Sequence, residues 1–172
     1  MFNKENSIKM IESYKKEYNY DTTYMEEMLS VSPKSYEVFE NFLPMAVFSN
    51  KASVEVINVA RITAIINEDC GTCAQLYVDL AIQAGLNKEI AKEIVYNEGK
   101  NLPTDLKSLY DFTLAVSNGE TIEKAMYEKI NELYSRDVLV EISLAIAATK
   151  VFPTIKRALN YVQSCAIIKI NV

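Results

Sequence analysis

The sequence predicts an all-α chain, and three observations predict it. Apolar residues recur at helical spacing in one segment after another. Gly85, Gly99 and Gly119 fall where such a pattern stops, the position that favours a left-handed residue. No segment shows the strict alternation of a strand. The Asn118-Gly119 pair closes one helical pattern and leads through Glu120-Thr121 into the next, so it does not make a hairpin.

Taken in order, helices are expected near 4–18, 22–31, 33–43, 50–67, 70–84, 88–98, 104–118, 121–134, 137–149 and 153–166. Asp21, Ser32, Asn50, Asn87, Thr104 and Thr121 each precede a helical pattern as capping residues. Ser32-Pro33 adds a proline at the first helical position. Pro103 and Pro153 separate periodic segments, and Glu123 suits the positive end of a helix dipole.

No linker or low-complexity stretch divides the chain, so residues 1–172 are expected to form one domain. The first 31 residues, rich in Lys, Glu and Tyr, read as an N-terminal helical arm laid over the domain or over a neighbouring subunit. A solvated amphipathic helix pair is the alternative. Segments 54–66 and 138–148 are apolar around most of their circumference. They are expected to form a central hairpin or an oligomer interface.

The composition narrows the function. Hydrophobic residues make up 49% and charged residues 24%, which suits a packed domain rather than a disordered chain. The net charge of −5, with no run of basic residues, argues against nucleic-acid binding. The start, Met1-Phe2-Asn3-Lys4-Glu5-Asn6, shows no apolar secretory core. The apolar stretches are interrupted by polar residues and fall short of the about 20 needed to span a bilayer. A cytoplasmic protein with no membrane partner is expected. There is no histidine, which removes His-based metal sites and Ser-His-Asp or Cys-His catalysis.

What remains for chemistry is Cys70-Gly71-Thr72-Cys73, at the start of a predicted helix. Two cysteines three apart can meet across one turn. In a reducing compartment such a pair is more often catalytic or metal-binding than a structural staple. A helix N-terminus favours the reactive thiolate, while Glu68 and Asp69 oppose it. Two other readings stand beside redox chemistry: a pair of inert core cysteines, and half of a zinc site. Zinc takes four ligands, and the chain offers only Cys165 besides the pair and no His. Cys165 itself reads as a plain buried cysteine or as a mixed-disulfide partner.

The stretch from Asn67 to Leu86 resembles the signature of the carboxymuconolactone decarboxylase/alkylhydroperoxidase (AhpD-like) family. Cys70, Cys73, Ala81, Ala84 and Gly85 carry the resemblance, and the helix order agrees over roughly residues 35–165. The resemblance implies an AhpD-like helical bundle that assembles as a dimer, trimer or hexamer. It implies no metal or organic cofactor. Cys73 would attack a peroxide and become a sulfenic acid, and Cys70 would condense with it to a disulfide. A dithiol protein would then reduce that disulfide.

Two relay positions depart from the family. Tyr77 stands where the family has histidine, four residues after Cys73, and is expected to orient the site or donate a hydrogen bond. Asn58 stands where the family has its glutamate, twelve residues before Cys70. Glu55 shares a polar stripe with Asn58 and Arg61 and is one replacement relay; its alternative is an ion pair with Arg61 at an interface. Glu68 is the other candidate, expected to be solvated. The leading expectation is a thiol-dependent peroxidase or disulfide oxidoreductase acting on a small peroxide or disulfide. Its rivals are a non-catalytic oligomeric scaffold that lost the relay, and a lactone-acid decarboxylase.

Overall fold

The computed structural model describes residues 2–161 and 168–170, and within them the chain is all-helical. The helices are α1 (Lys4–Tyr18), α2 (Thr23–Val31), α3 (Pro33–Val47), α4 (Val54–Asn67), α5 (Gly71–Gln83), α6 (Lys88–Asn97), α7 (Thr104–Asn118), α8 (Lys124–Leu133), α9 (Arg136–Thr149) and α10 (Val151–Ala158).

α4 is the central element. It packs against α5, α6, α7 and α9, and every residue from Ile57 to Ile65 is buried. Its all-round apolarity is thus consumed within the chain, as expected for a helix hydrophobic on nearly all sides. α9 lies against α3, α4 and α7. The main core joins Val59, Ile62, Val78, Leu109, Ile130, Ile142 and Ile146 from α4, α5, α7, α8 and α9.

Residues 2–31 lie over these helices. Ile11, Tyr20, Tyr24, Met25 and Leu29 form a second cluster with Tyr36 and Phe39 of α3, and Leu76 and Phe152 pack against it. Ser7 Oγ donates to Glu40 at 2.7 Å, and Tyr18 to Gln83, tying α1 to α3 and α5.

Several boundaries differ from the sequence expectation. α4 begins at Val54 rather than near 50. The amides of Asn50, Lys51 and Ala52 donate to the buried carboxylate of Glu141 on α9, which takes them out of the helix. Ser53 then caps α4 by accepting from Val56 at 3.2 Å. α3 continues to Val47 through Pro44, whose missing N–H falls in the last turn. Pro103 and Glu123, not Thr104 and Thr121, precede α7 and α8. Asn87 caps α6 as expected, accepting from Glu89 at 2.9 Å. Gly85, Gly99 and Gly119 adopt φ of 98°, 65° and 72°.

α10 follows α9 after Lys150 alone, so residues 136–158 make a run of 23, long and apolar enough by those measures to cross a bilayer. Within the fold this run carries two buried charged residues, Glu141 and Lys156. α10 ends at Ala158, short of the expected 166: Leu159 is its C-cap and Asn160 turns left-handed at φ 62°, while 162–166, with Cys165, lie outside the described residues.

Candidate functional site

α5 begins at the cysteine motif. Cys70 is its N-cap residue, at φ −115° and ψ 87°, and its carbonyl accepts the first helical bond from Ala74 at 2.8 Å. Asp69, left-handed at φ 50°, turns the chain out of α4 into this cap. Cys73 stands one turn further on. The two Cα atoms are 5.3 Å apart, and the sulfurs lie at disulfide distance. Both cysteines are 2% exposed, packed with Ile65, Ala74 and Tyr77.

Each sulfur has a hydroxyl beside it. Thr72 Oγ1 lies 3.9 Å from Cys70 Sγ, and Tyr20 Oη lies 3.8 Å from Cys73 Sγ. Tyr20 Oη in turn meets Tyr24 Oη at 3.3 Å. Both arrangements converge on Lys156 of α10, a lysine with 1% exposure. Its ammonium donates to Thr72 Oγ1 at 3.1 Å. It also lies 4.8 Å from the Tyr20 ring centre and 5.2 Å from that of Tyr24. Asp21 approaches it at 3.8 Å.

The electrostatics follow from this burial. Desolvation lowers the Lys156 pKa, and Asp21 works against that shift. Burial pushes Tyr20, Tyr24 and Tyr77 well above the ordinary phenol value, so all three keep their protons near neutral pH and none serves as a base. Burial also works to raise Asp21, yet hydrogen bonds from the Thr23 side chain and amide, with Lys156 nearby, bring it below its usual range.

Cys73 opens onto an apolar pocket of about 40 Å³. Its walls include Tyr14, Tyr20, Leu43, Leu76, Tyr77 and Phe152. A space of this size holds a few small atoms rather than a folded peptide. Among the described residues, no charged side chain lines it. Among the described residues, no group of three or more His, Cys, Asp or Glu is gathered as metal ligands.

The expected site residues separate. Tyr77 shares the pocket wall with Cys73, but its buried hydroxyl has no hydrogen-bond partner among the described residues. Glu55 is exposed in the first turn of α4 and makes no hydrogen bond or ion pair among the described residues. Asn58 and Arg61 are buried. Asn58 donates to the Val54 carbonyl, and Arg61 donates to Asn58 and to the Phe48 carbonyl. Arg61 therefore caps the C-terminal end of α3 rather than pairing with Glu55.

Glu68 is not solvated as expected. Its side chain is 12% exposed and is held by Arg157 at 2.7 Å and Lys150 at 3.5 Å. Those two cations also mask the carboxylate that would otherwise oppose a thiolate on Cys70.

Thr72, Tyr20 and Lys156 escaped the sequence reading. Thr72 was legible as a hydroxyl inside the motif. Lys156 lies in an amphipathic helical segment where lysines ordinarily face water, and only tertiary packing brings it 84 positions back to Thr72. Comparison with family models, curated proteins and solved structures returns no match.

Proposed function

We propose that this chain is a thiol–disulfide oxidoreductase that consumes small peroxides through Cys70 and Cys73. The observation that carries the reading is the Cys73 sulfur on the wall of a small apolar pocket, at disulfide distance from Cys70.

The reaction runs in three steps. The Cys73 thiolate attacks the distal peroxide oxygen; the O–O bond breaks, giving a sulfenic acid and an alkoxide that takes a proton to leave as alcohol. The Cys70 thiol then attacks that sulfenic sulfur, forming the disulfide and releasing water. Finally, a dithiol protein reduces the disulfide by exchange and is itself oxidised. Tyr77 shapes the pocket. The family resemblance over Asn67–Leu86 supports the same assignment. Exposed Val31, Val38, Val47 and Phe48 support self-association as a homo-oligomer.

The test is peroxide turnover with a dithiol reductant. The reading expects one peroxide lost per disulfide formed, and loss of activity in Cys73→Ser. Turnover by Cys73→Ser equal to the unmodified protein overturns it.

A second reading rests on the burial of both sulfurs at 2% exposure. A pair so enclosed serves equally as a cross-link in a helical scaffold. That reading expects no peroxide consumption and a disulfide that resists dithiol reagents until the protein unfolds.

A further inference from the structure

The pair lacks a histidine, and the residues at the family's relay positions, Tyr77 and Asn58, make no hydrogen bond to either sulfur. The activating group must lie elsewhere. Among the described residues, one buried cation, Lys156, lies beside the two sulfurs: it donates to the Thr72 hydroxyl near Cys70 and sits over the ring of Tyr20, whose hydroxyl lies near Cys73. We propose that Lys156 is the residue that activates the cysteine pair: a fixed positive charge that stabilises the thiolates through the hydroxyls of Thr72 and Tyr20. This deepens the redox reading above and rests on it.

The link from Lys156 to Thr72 has a fixed direction. Lys156 has only donors, so Thr72 Oγ1 accepts from it, which leaves the Thr72 hydroxyl proton free to point at Cys70 Sγ. An accepted bond from an ammonium makes that hydroxyl a stronger donor. On the other side the ammonium sits over the Tyr20 ring. Either hydroxyl can donate in the Tyr20–Tyr24 pair; in the arrangement where Tyr24 donates, the Tyr20 hydroxyl is free to donate to Cys73 Sγ. One charge thus reaches both sulfurs without touching either. On ionisation the thiol proton leaves to solvent, and Lys156 stays protonated throughout.

The placement is hard to explain as packing alone. A lysine head buried to 1% exposure carries a large desolvation cost, and its nearest carboxylate, Asp21, stands 3.8 Å away. Among the described residues, Tyr20 and Tyr24 of the N-terminal arm are the other titratable groups against it, with their rings under the ammonium. Arg157 on its own helix is engaged with Glu68. The N-terminal arm is then part of the site, because it supplies Tyr20, Asp21 and Tyr24.

The experiment is an NMR titration of the reduced protein with Cβ-labelled cysteine, in a background with Cys165→Ser. The cysteine Cβ shift reads each thiol's ionisation without requiring reagent access. In the unmodified background, at least one of the two thiols should ionise below the free value of about 8.5. Lys156→Met should cut its thiolate fraction at neutral pH about tenfold. Thr72→Val should reproduce the loss at Cys70, with Thr72→Ser restoring it, and Tyr20→Phe should reproduce the loss at Cys73.

A folded Lys156→Met protein that titrates like its parent overturns the proposal. Should that variant fail to fold, a Thr72→Val protein with an unchanged Cys70 titration overturns it instead. Ordinary ionisation of both thiols in the parent does so too. Peroxide turnover reads the redox assignment separately: thiols that depend on Lys156 without turnover would retire that assignment, whereas turnover with titrations indifferent to Lys156 would retire this one.

Discussion

Tyr77 meets Phe152 edge to face, with ring centres 6.3 Å apart, and its buried hydroxyl finds no partner among the described residues. The ring belongs to the pocket wall, while the hydroxyl contributes desolvation without a compensating bond. Tyr77→Phe should therefore raise stability by about 1 kcal/mol in urea unfolding, since an unsatisfied buried hydroxyl costs about 1–3 kcal/mol. Peroxide turnover should be retained within a few-fold. A collapse of turnover with stability unchanged would give the hydroxyl a chemical role.

Glu141 should make stability depend on acid. Amide donation, led by that of Asn50 and joined by Lys51 and Ala52, holds its carboxyl below the usual carboxylate range. A depressed folded pKa contributes stability that is full above the unfolded value, about 4.3, and is lost as pH falls through the folded one. The urea midpoint of Glu141→Gln should lie below that of the parent near neutral pH. The gap should narrow as pH drops under about 4. A gap constant with pH would show that the carboxylate charge is not what holds residues 50–52.

The glycines should differ in what alanine costs. At Gly119, φ is 72° and an added Cβ meets nothing within 4 Å, so only left-handed strain enters, roughly 1–2 kcal/mol. At Gly99 the φ of 65° is joined by Leu102 and Tyr110 carbons at 3.0 Å from the new Cβ. Thermal unfolding should rank Gly99→Ala clearly below Gly119→Ala.

α4 should be the least forgiving helix. Ile62 is fully buried in the main core, and Ile62→Ala should cost about 2–5 kcal/mol. Val38 is 73% exposed on α3, and Val38→Ala should lie within about 0.5 kcal/mol of the parent in a monomeric sample. Equal effects at the two positions would misplace the core.

Much of this architecture was legible in the sequence because it is local. The helix order follows from apolar spacing, and the left-handed Gly85, Gly99 and Gly119 from the need to end a helix. The proximity of Cys70 and Cys73 follows from one helical turn. What escaped is non-local. The delayed start of α4 depends on Glu141, 91 positions from Asn50. The burial of Glu68 depends on Arg157, and the neighbourhood of the sulfurs depends on Tyr20 and Lys156. Glu55 looked like a relay because it shares a helical stripe with Asn58, yet a stripe does not show where its first turn emerges into solvent.

The most direct test is equilibration of the folded protein in glutathione buffers of graded potential, with mass spectrometry of the peptide bearing Cys70 and Cys73. The account expects a reversible two-electron transition, from both thiols reduced to an intramolecular disulfide, within the range that cellular dithiols span. Cysteines 70 and 73 that stay locked in one state across the whole range, while the protein remains folded, would contradict it.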